Sequence, residues 1–112
     1  MKRGEVWWAS LPEPKESEPG YRRPVVIIQN DDFNRSNINT VICSSITSNL
    51  NIADAPENIR MPARVSGLNK PSVVNVSQLI TVDKRFLSKK VKTLDQKIMN
   101  RIDEGIRLVL NL

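Results

Sequence analysis

The sequence predicts a mainly β domain with a helical end (α+β): a small, mostly antiparallel sheet, curled or closed into a compact barrel, with a helix at the C-terminus. Three observations predict it. Short β-branched and apolar runs recur at GEVWWASL, VVIIQ, TVICSSI and VVNVSQLITV, the lengths and residue types that strands favour. The longest connection is rich in proline and charge, which helices and sheet interiors reject. From Leu94 onward the apolar spacing changes to that of a helix.

The elements follow in chain order. GEVWWASL supplies the first strand. The connection Pro12 to Arg22 is eleven residues long and carries three prolines; long loops in compact domains tend to be functional or mobile. VVIIQ reads as a fully buried second strand, TVICSSI as a third, and VVNVSQLITV as one long or bent strand. NIRMPAR is a further strand candidate that Pro62 pushes toward a sheet edge. DDFNRSN forms a turn or one helical turn capped by Asp32. Thr93 and Gln96 make a capping box before the stripe Leu94, Ile98, Ile102, Ile106 and Val109, with Lys97, Arg101 and Arg107 on the polar side. Gly105 inside this helix costs about 1 kcal/mol relative to alanine, which points to close packing there.

A chain of 112 residues has the size of one domain, residues 1–112. Its apolar runs fall far short of the roughly 18 residues a membrane helix needs. MKRGEVWW lacks the apolar region of a secretory signal. Cys43 is the single cysteine and can form no internal disulfide, which suits a reducing cytoplasm. Seventeen basic and twelve acidic side chains leave a net charge of +5 and a pI near 9.7. An anionic partner is therefore expected, nucleic acid first.

The absence of histidine removes the usual general base and zinc ligand. Ser44, Ser45 and Ser48 have no histidine to activate them, so a Ser-His-Asp hydrolase is excluded. No GxxxxGK[ST] or GxGxxG loop is present, so nucleotide binding has no support. No metal or cofactor is expected. What remains is arginine, lysine, carboxylates and hydroxyls, a set suited to phosphate chemistry through fixed positive charge.

Arg22 and Arg23 stand where the loop becomes a strand. Pro24 restricts Arg23 to extended angles, and a guanidinium fork matches phosphate bidentately; a plain pair of surface arginines is the other reading. SSITSN ends the third strand with hydroxyls that can face a cleft, although Thr47 is also simply a good β-former. Ser77 and Gln78 suit the solvent face of an alternating strand equally well. Glu16 and Glu18 are ordinary solvated charges unless a substrate lies beside them.

Taken together, RGEVWWASLP, SEPGYRRPVVIIQND, TVICSSITSN and SQLITVDKRFL resemble the MazF/PemK family of toxin endoribonucleases from bacterial type II toxin–antitoxin pairs. The similarity spans nearly the whole chain, in the family's order. The loop departs from it, reading SEPGY where the family often has SEQGG, so Pro19 and Tyr21 bear on loop motion and base preference.

The resemblance implies an SH3-like barrel with short helices, a homodimer, cleavage of single-stranded RNA at short sequences, and inhibition by a cognate acidic antitoxin. It places the catalytic arginine on Arg23, the catalytic threonine on Thr47 and the loop glutamate on Glu18, the candidate base. Ser17, Arg22, Ser48, Asn49 and Gln78 are the candidate RNA contacts. Two alternatives stay open: a CcdB-like gyrase-poisoning toxin of the same fold, and a non-catalytic SH3-like nucleic-acid-binding module.

Overall fold

The run EVWWASL becomes β1 (Glu5–Leu11), and its alternation decides which side chains meet on each side of the sheet. The computed structural model describes residues 1–11 and 21–112, apart from the side chain of Tyr21. Among these, β1 is followed by β2 (Tyr21–Ile27), α1 (Asp31–Asn34), β3 (Thr40–Thr47), β4 (Ile59–Met61), α2 (Ala63–Ser66), β5 (Ser72–Asp83), β6 (Leu87–Thr93) and α3 (Gln96–Leu110). The strands form one curled sheet, ordered β4-β5-β3-β2-β1-β6, with antiparallel pairing throughout. The expected mainly β architecture with a C-terminal helix is present. It is an open half-barrel, with β4 and β6 as its edges.

Both sides of the sheet are covered. Val6, Val26, Ile46, Val74 and Val76 pack on one side with Leu94, Met99 and Ile102 of the helical end. Ala9, Val25, Ile27, Val41, Cys43 and Val82 pack on the other, beneath Phe86 and Leu87. Neighbours in β1, β2 and β3 divide between the two sides, as a period of two requires.

Strand β5 serves both clusters through a bulge. Ser44 pairs with Leu79 and Ser45 with Asn75, leaving Val76, Ser77 and Gln78 as three extra residues. An odd offset reverses which parity faces which side. Val74 and Val76 therefore join the first cluster, while Ile80 and Val82 join the second. The long or bent strand is a bent one.

Several boundaries differ from the sequence-based expectations. Strand β2 starts earlier than VVIIQ, because Tyr21, Arg22 and Arg23 already pair with Leu11, Ser10 and Ala9. It ends at Ile27, leaving Ile28 and Gln29 beyond it. Strand β6 was not expected: LSKKVKT has only Leu87 and Val91 as apolar residues, a composition that suits a guarded edge. Thr93 is paired with Glu5 in this strand, so the expected capping box does not form. Asp95 caps α3 instead, its side chain accepting from the Ile98 amide. Asn30, not Asp32, caps α1 by accepting from the Asp32 amide at 2.7 Å. NIRMPAR does supply the edge strand β4, with Pro62 just before α2.

Helix α3 docks through Met99, Ile102 and Gly105, all buried, whereas Val109 stands exposed on the last turn. A Cβ at Gly105 would lie 3.0 Å from the Glu57 carbonyl oxygen and 3.1 Å from a Val76 methyl. The glycine therefore permits the close approach that its position inside a helix suggested. Arg3 ties the parts together: its amide donates to Asp31, its Nε to the Ile28 carbonyl, and its guanidinium pairs with Asp103 of α3. Among the described residues, no helix is long and apolar enough to cross a membrane.

Candidate functional site

The ladder between β2 and β3 is short. It holds Val25 to Ser45, Val26 to Ser44 and Ile27 to Cys43, and stops there. Pro24 has no N–H to extend it. From Pro24 outward β2 is paired to β1, and from Ile46 outward β3 is paired to β5. The two strands part, and a groove of about 340 Å³ opens between them.

Four predicted residues line this groove: Arg22, Arg23, Thr47 and Ser48. Arg23 and Thr47 each lie two residues beyond the last β2–β3 pair. Arg23 is half-buried, and its guanidinium donates to the Ser45 hydroxyl at 3.1 Å. That bond, with the extended backbone before Pro24, aims the charge. Thr47 Oγ1 accepts the Asn49 amide at 3.1 Å, which leaves its own O–H as the group to donate. Arg22 is exposed and stacks on Trp8, its guanidinium carbon 4.8 Å from the ring centroid.

The other candidates lie elsewhere. Asn49 is exposed and caps the turn Leu50–Asp54, its side chain accepting from the Asn51 amide; it does not line the groove. Gln78 is exposed on the β5 bulge and is likewise outside the lining. Ser17, Glu18, Glu16 and Pro19 fall outside the described residues.

Trp8, Lys70 and Ser45 were missed by the sequence reading and now stand at the site. Trp8 is set opposite Pro24 by the β1–β2 register. Lys70 comes from the turn before β5 and joins the groove wall with Leu68 and Asn69. Ser45, sought only as a nucleophile and excluded, is the buried acceptor that orients Arg23.

The described lining carries Arg22, Arg23 and Lys70 and no carboxylate, so it offers positive potential and hydroxyl donors to an anion. Cys43 adds no nucleophile, since burial pushes its thiol up to about 12. No group of three or more His, Cys, Asp or Glu that could hold a metal occurs among the described residues.

Comparison with known proteins bears on this arrangement. The family model for PemK-like, MazF-like toxins of type II toxin–antitoxin systems matches residues 2–110. Endoribonuclease MazF6 of Mycobacterium tuberculosis (strain H37Rv) is 41% identical over 112 residues, covering 100% of this chain and 98% of the relative. Endoribonuclease EndoA of Bacillus subtilis (strain 168) is 37% identical over 112 residues, covering 100% and 96%.

Among solved structures, a mycobacterial endoribonuclease in complex with its cognate antitoxin superposes with a TM-score of 0.78 at 21% identity, covering 100% of this chain and 94% of that one. A MazE-MazF structure from Deinococcus radiodurans gives a TM-score of 0.82 at 17% identity, covering 100% and 96%.

Proposed function

Because this chain belongs to the PemK-like, MazF-like toxins of type II toxin–antitoxin systems, we propose that it is an endoribonuclease that cuts single-stranded RNA in its groove, stops translation by cutting mRNA, and is held in check by a cognate antitoxin. The observation that carries the reading is the meeting of Arg23 and Thr47 where β2 and β3 part, in a lining with cations and no described carboxylate. Relatives named as endoribonucleases favour RNA cleavage over gyrase poisoning or passive binding.

RNA carries its own nucleophile. The 2′-oxygen attacks the adjacent phosphorus, the P–O5′ bond breaks, and the products are a 2′,3′-cyclic phosphate and a 5′-hydroxyl. The protein has to align that attack and stabilise the charge that gathers on the phosphoryl oxygens. Arg23, braced by Ser45, supplies the fixed charge. Arginine holds its proton tightly, so the work of Arg23 is mainly electrostatic, with proton donation to the departing 5′-oxygen as its second role. Thr47 adds a hydroxyl hydrogen bond to the phosphoryl oxygens. Glu18 is the base in this scheme, by resemblance; it takes the 2′-proton. Ser17, Arg22, Ser48, Asn49 and Gln78 hold the strand, with Arg22 and Ser48 in the groove itself.

The whole chain works as one domain in this reading, in the cytoplasm, and as a homodimer. Exposed Phe33, Ile38 and Ile42 offer apolar surface for a subunit contact. The net charge of +5 favours an acidic antitoxin segment that competes with RNA for Arg22 and Arg23.

The test is cleavage of RNA with EDTA present, followed by mass spectrometry of the ends. Cyclic phosphate and 5′-hydroxyl termini are expected, and 2′-deoxyribose at the scissile nucleotide should block the cut. Ends bearing 3′-hydroxyl and 5′-phosphate would instead identify water as the nucleophile and overturn the mechanism.

A further inference from the structure

A second groove, of about 290 Å³, is lined by Trp8, the turn 67–69 and the β6 residues 89–91. It shares Trp8, Leu68 and Asn69 with the first, so the two meet at the indole. The register explains the junction. Trp8 is opposite Pro24 on one side and Lys89 on the other. Directly paired residues of antiparallel strands project to the same face, so Lys89, Trp8 and Pro24 form a row across three strands. With strands about 4.8 Å apart, the row carries the groove about 10 Å past Pro24.

Its chemistry is continuous with the first groove. Arg22, Arg23, Lys70, Lys89 and Lys90 line the two, and no carboxylate appears among the described lining residues. Lys90 is already engaged, its ammonium 3.1 Å from the Glu5 carboxylate. Lys89 is exposed beside Trp8. The stacked Arg22 guanidinium and Trp8 ring make a flat platform between the cationic walls.

We propose that this second groove is a flanking subsite for the RNA substrate: the single strand continues past the scissile phosphate, stacks a base on the Arg22–Trp8 pair and sets a phosphate on Lys89. The inference rests on the endoribonuclease reading above. Alternating planar and anionic contacts are what a single strand presents to a protein. An acidic peptide would use the charges and leave the platform idle.

The experiment uses the full chain and RNA oligonucleotides built on a cut site first mapped in a long transcript. One probe is short, and others are extended by a few nucleotides on the 5′ or the 3′ side. For wild type, extension on one side should lower KM. In Lys89→Glu that gain should collapse, and Lys89→Arg should restore it. Lys89→Gln, the gentler change, should reduce the slope of log KM against log salt by about 0.7, the share of one single-strand phosphate contact.

An equal extension gain in wild type and Lys89→Glu overturns the subsite and leaves the endoribonuclease reading standing. So does a wild type indifferent to extension. If Lys89→Glu keeps the gain but weakens binding of an acidic peptide from the cognate antitoxin, the groove belongs to the protein partner and the proposal fails. A wild type that cuts no RNA at all removes both readings together.

Discussion

Replacing Glu5 with glutamine keeps a side chain's shape and removes its charge from an almost closed position. Glu5 is 7% exposed. Its Oε1 accepts the Lys2 amide and the Trp7 indole N–H, both at 2.9 Å, and its Oε2 faces the Lys90 ammonium. A hydrogen bond to a charged group contributes about 1.5–3 kcal/mol and a neutral one about 0.5–1.5 kcal/mol. The glutamine carbonyl keeps both bonds in the weaker class. The ion pair adds little, because Lys90 is 48% exposed and such pairs are worth about 1 kcal/mol at most. Relief of the buried charge returns part of the loss. The net expectation is destabilisation by about 1–2 kcal/mol at neutral pH, or about 4–8 °C in Tm for a domain near this size.

The pH dependence sharpens the test. Burial alone would raise the Glu5 carboxyl, but the Trp7, Lys2 and Lys90 contacts outweigh it and hold the group below its ordinary 4.5. A lowered carboxylate contributes its stabilisation in full above the unfolded value, and loses it as pH falls through the folded one. Urea unfolding should therefore show a gap between wild type and Glu5→Gln at neutral pH that closes in acid well below 4.5. The same gap at both pH values, or no gap at neutral pH, would refute the reasoning.

Two further outcomes are expected. Arg23→Ala should lower the rate of RNA cleavage by about 10²–10³-fold, the usual effect of losing one transition-state donor, with circular dichroism showing the fold retained; cleavage within a few-fold of wild type would remove Arg23 from the mechanism. Gly105→Ala gains about 1 kcal/mol of helix propensity yet forces its methyl against the Glu57 carbonyl and Val76, and overpacking costs about 1–3 kcal/mol. A lower unfolding midpoint is expected, and a raised one would mean that residue 57 yields freely.

Much of the fold could be read from residues that act through their neighbours in sequence. VVIIQ and TVICSSI are apolar enough to announce buried strands, and β2 and β3 supply both clusters. Strand β6 was hidden because an edge is paired on one side and needs few apolar residues. The cap at Asp95 was hidden because Thr93 fits a capping motif, and only tertiary pairing with Glu5 removes it from the helix. At the site, Arg23 and Thr47 were visible as polar residues, one opening an apolar strand and the other closing one. Trp8 and Lys70 were not, since their place beside the arginines comes from register and from a turn with no pattern of its own.

The bulge in β5 turns a matter of composition into one of counting. Val74, Val76, Ile80 and Val82 share one parity and yet support opposite sides of the sheet, solely because an odd number of residues intervenes in the pairing. Ser77 and Gln78 are exposed there, so neither side chain is needed to fill the core. Their number is needed: losing one residue makes the offset even and turns Ile80 and Val82 away from Val41 and Cys43. Packing in this segment thus depends on spacing as a reading frame does: the core reads how many residues intervene before it reads which ones they are.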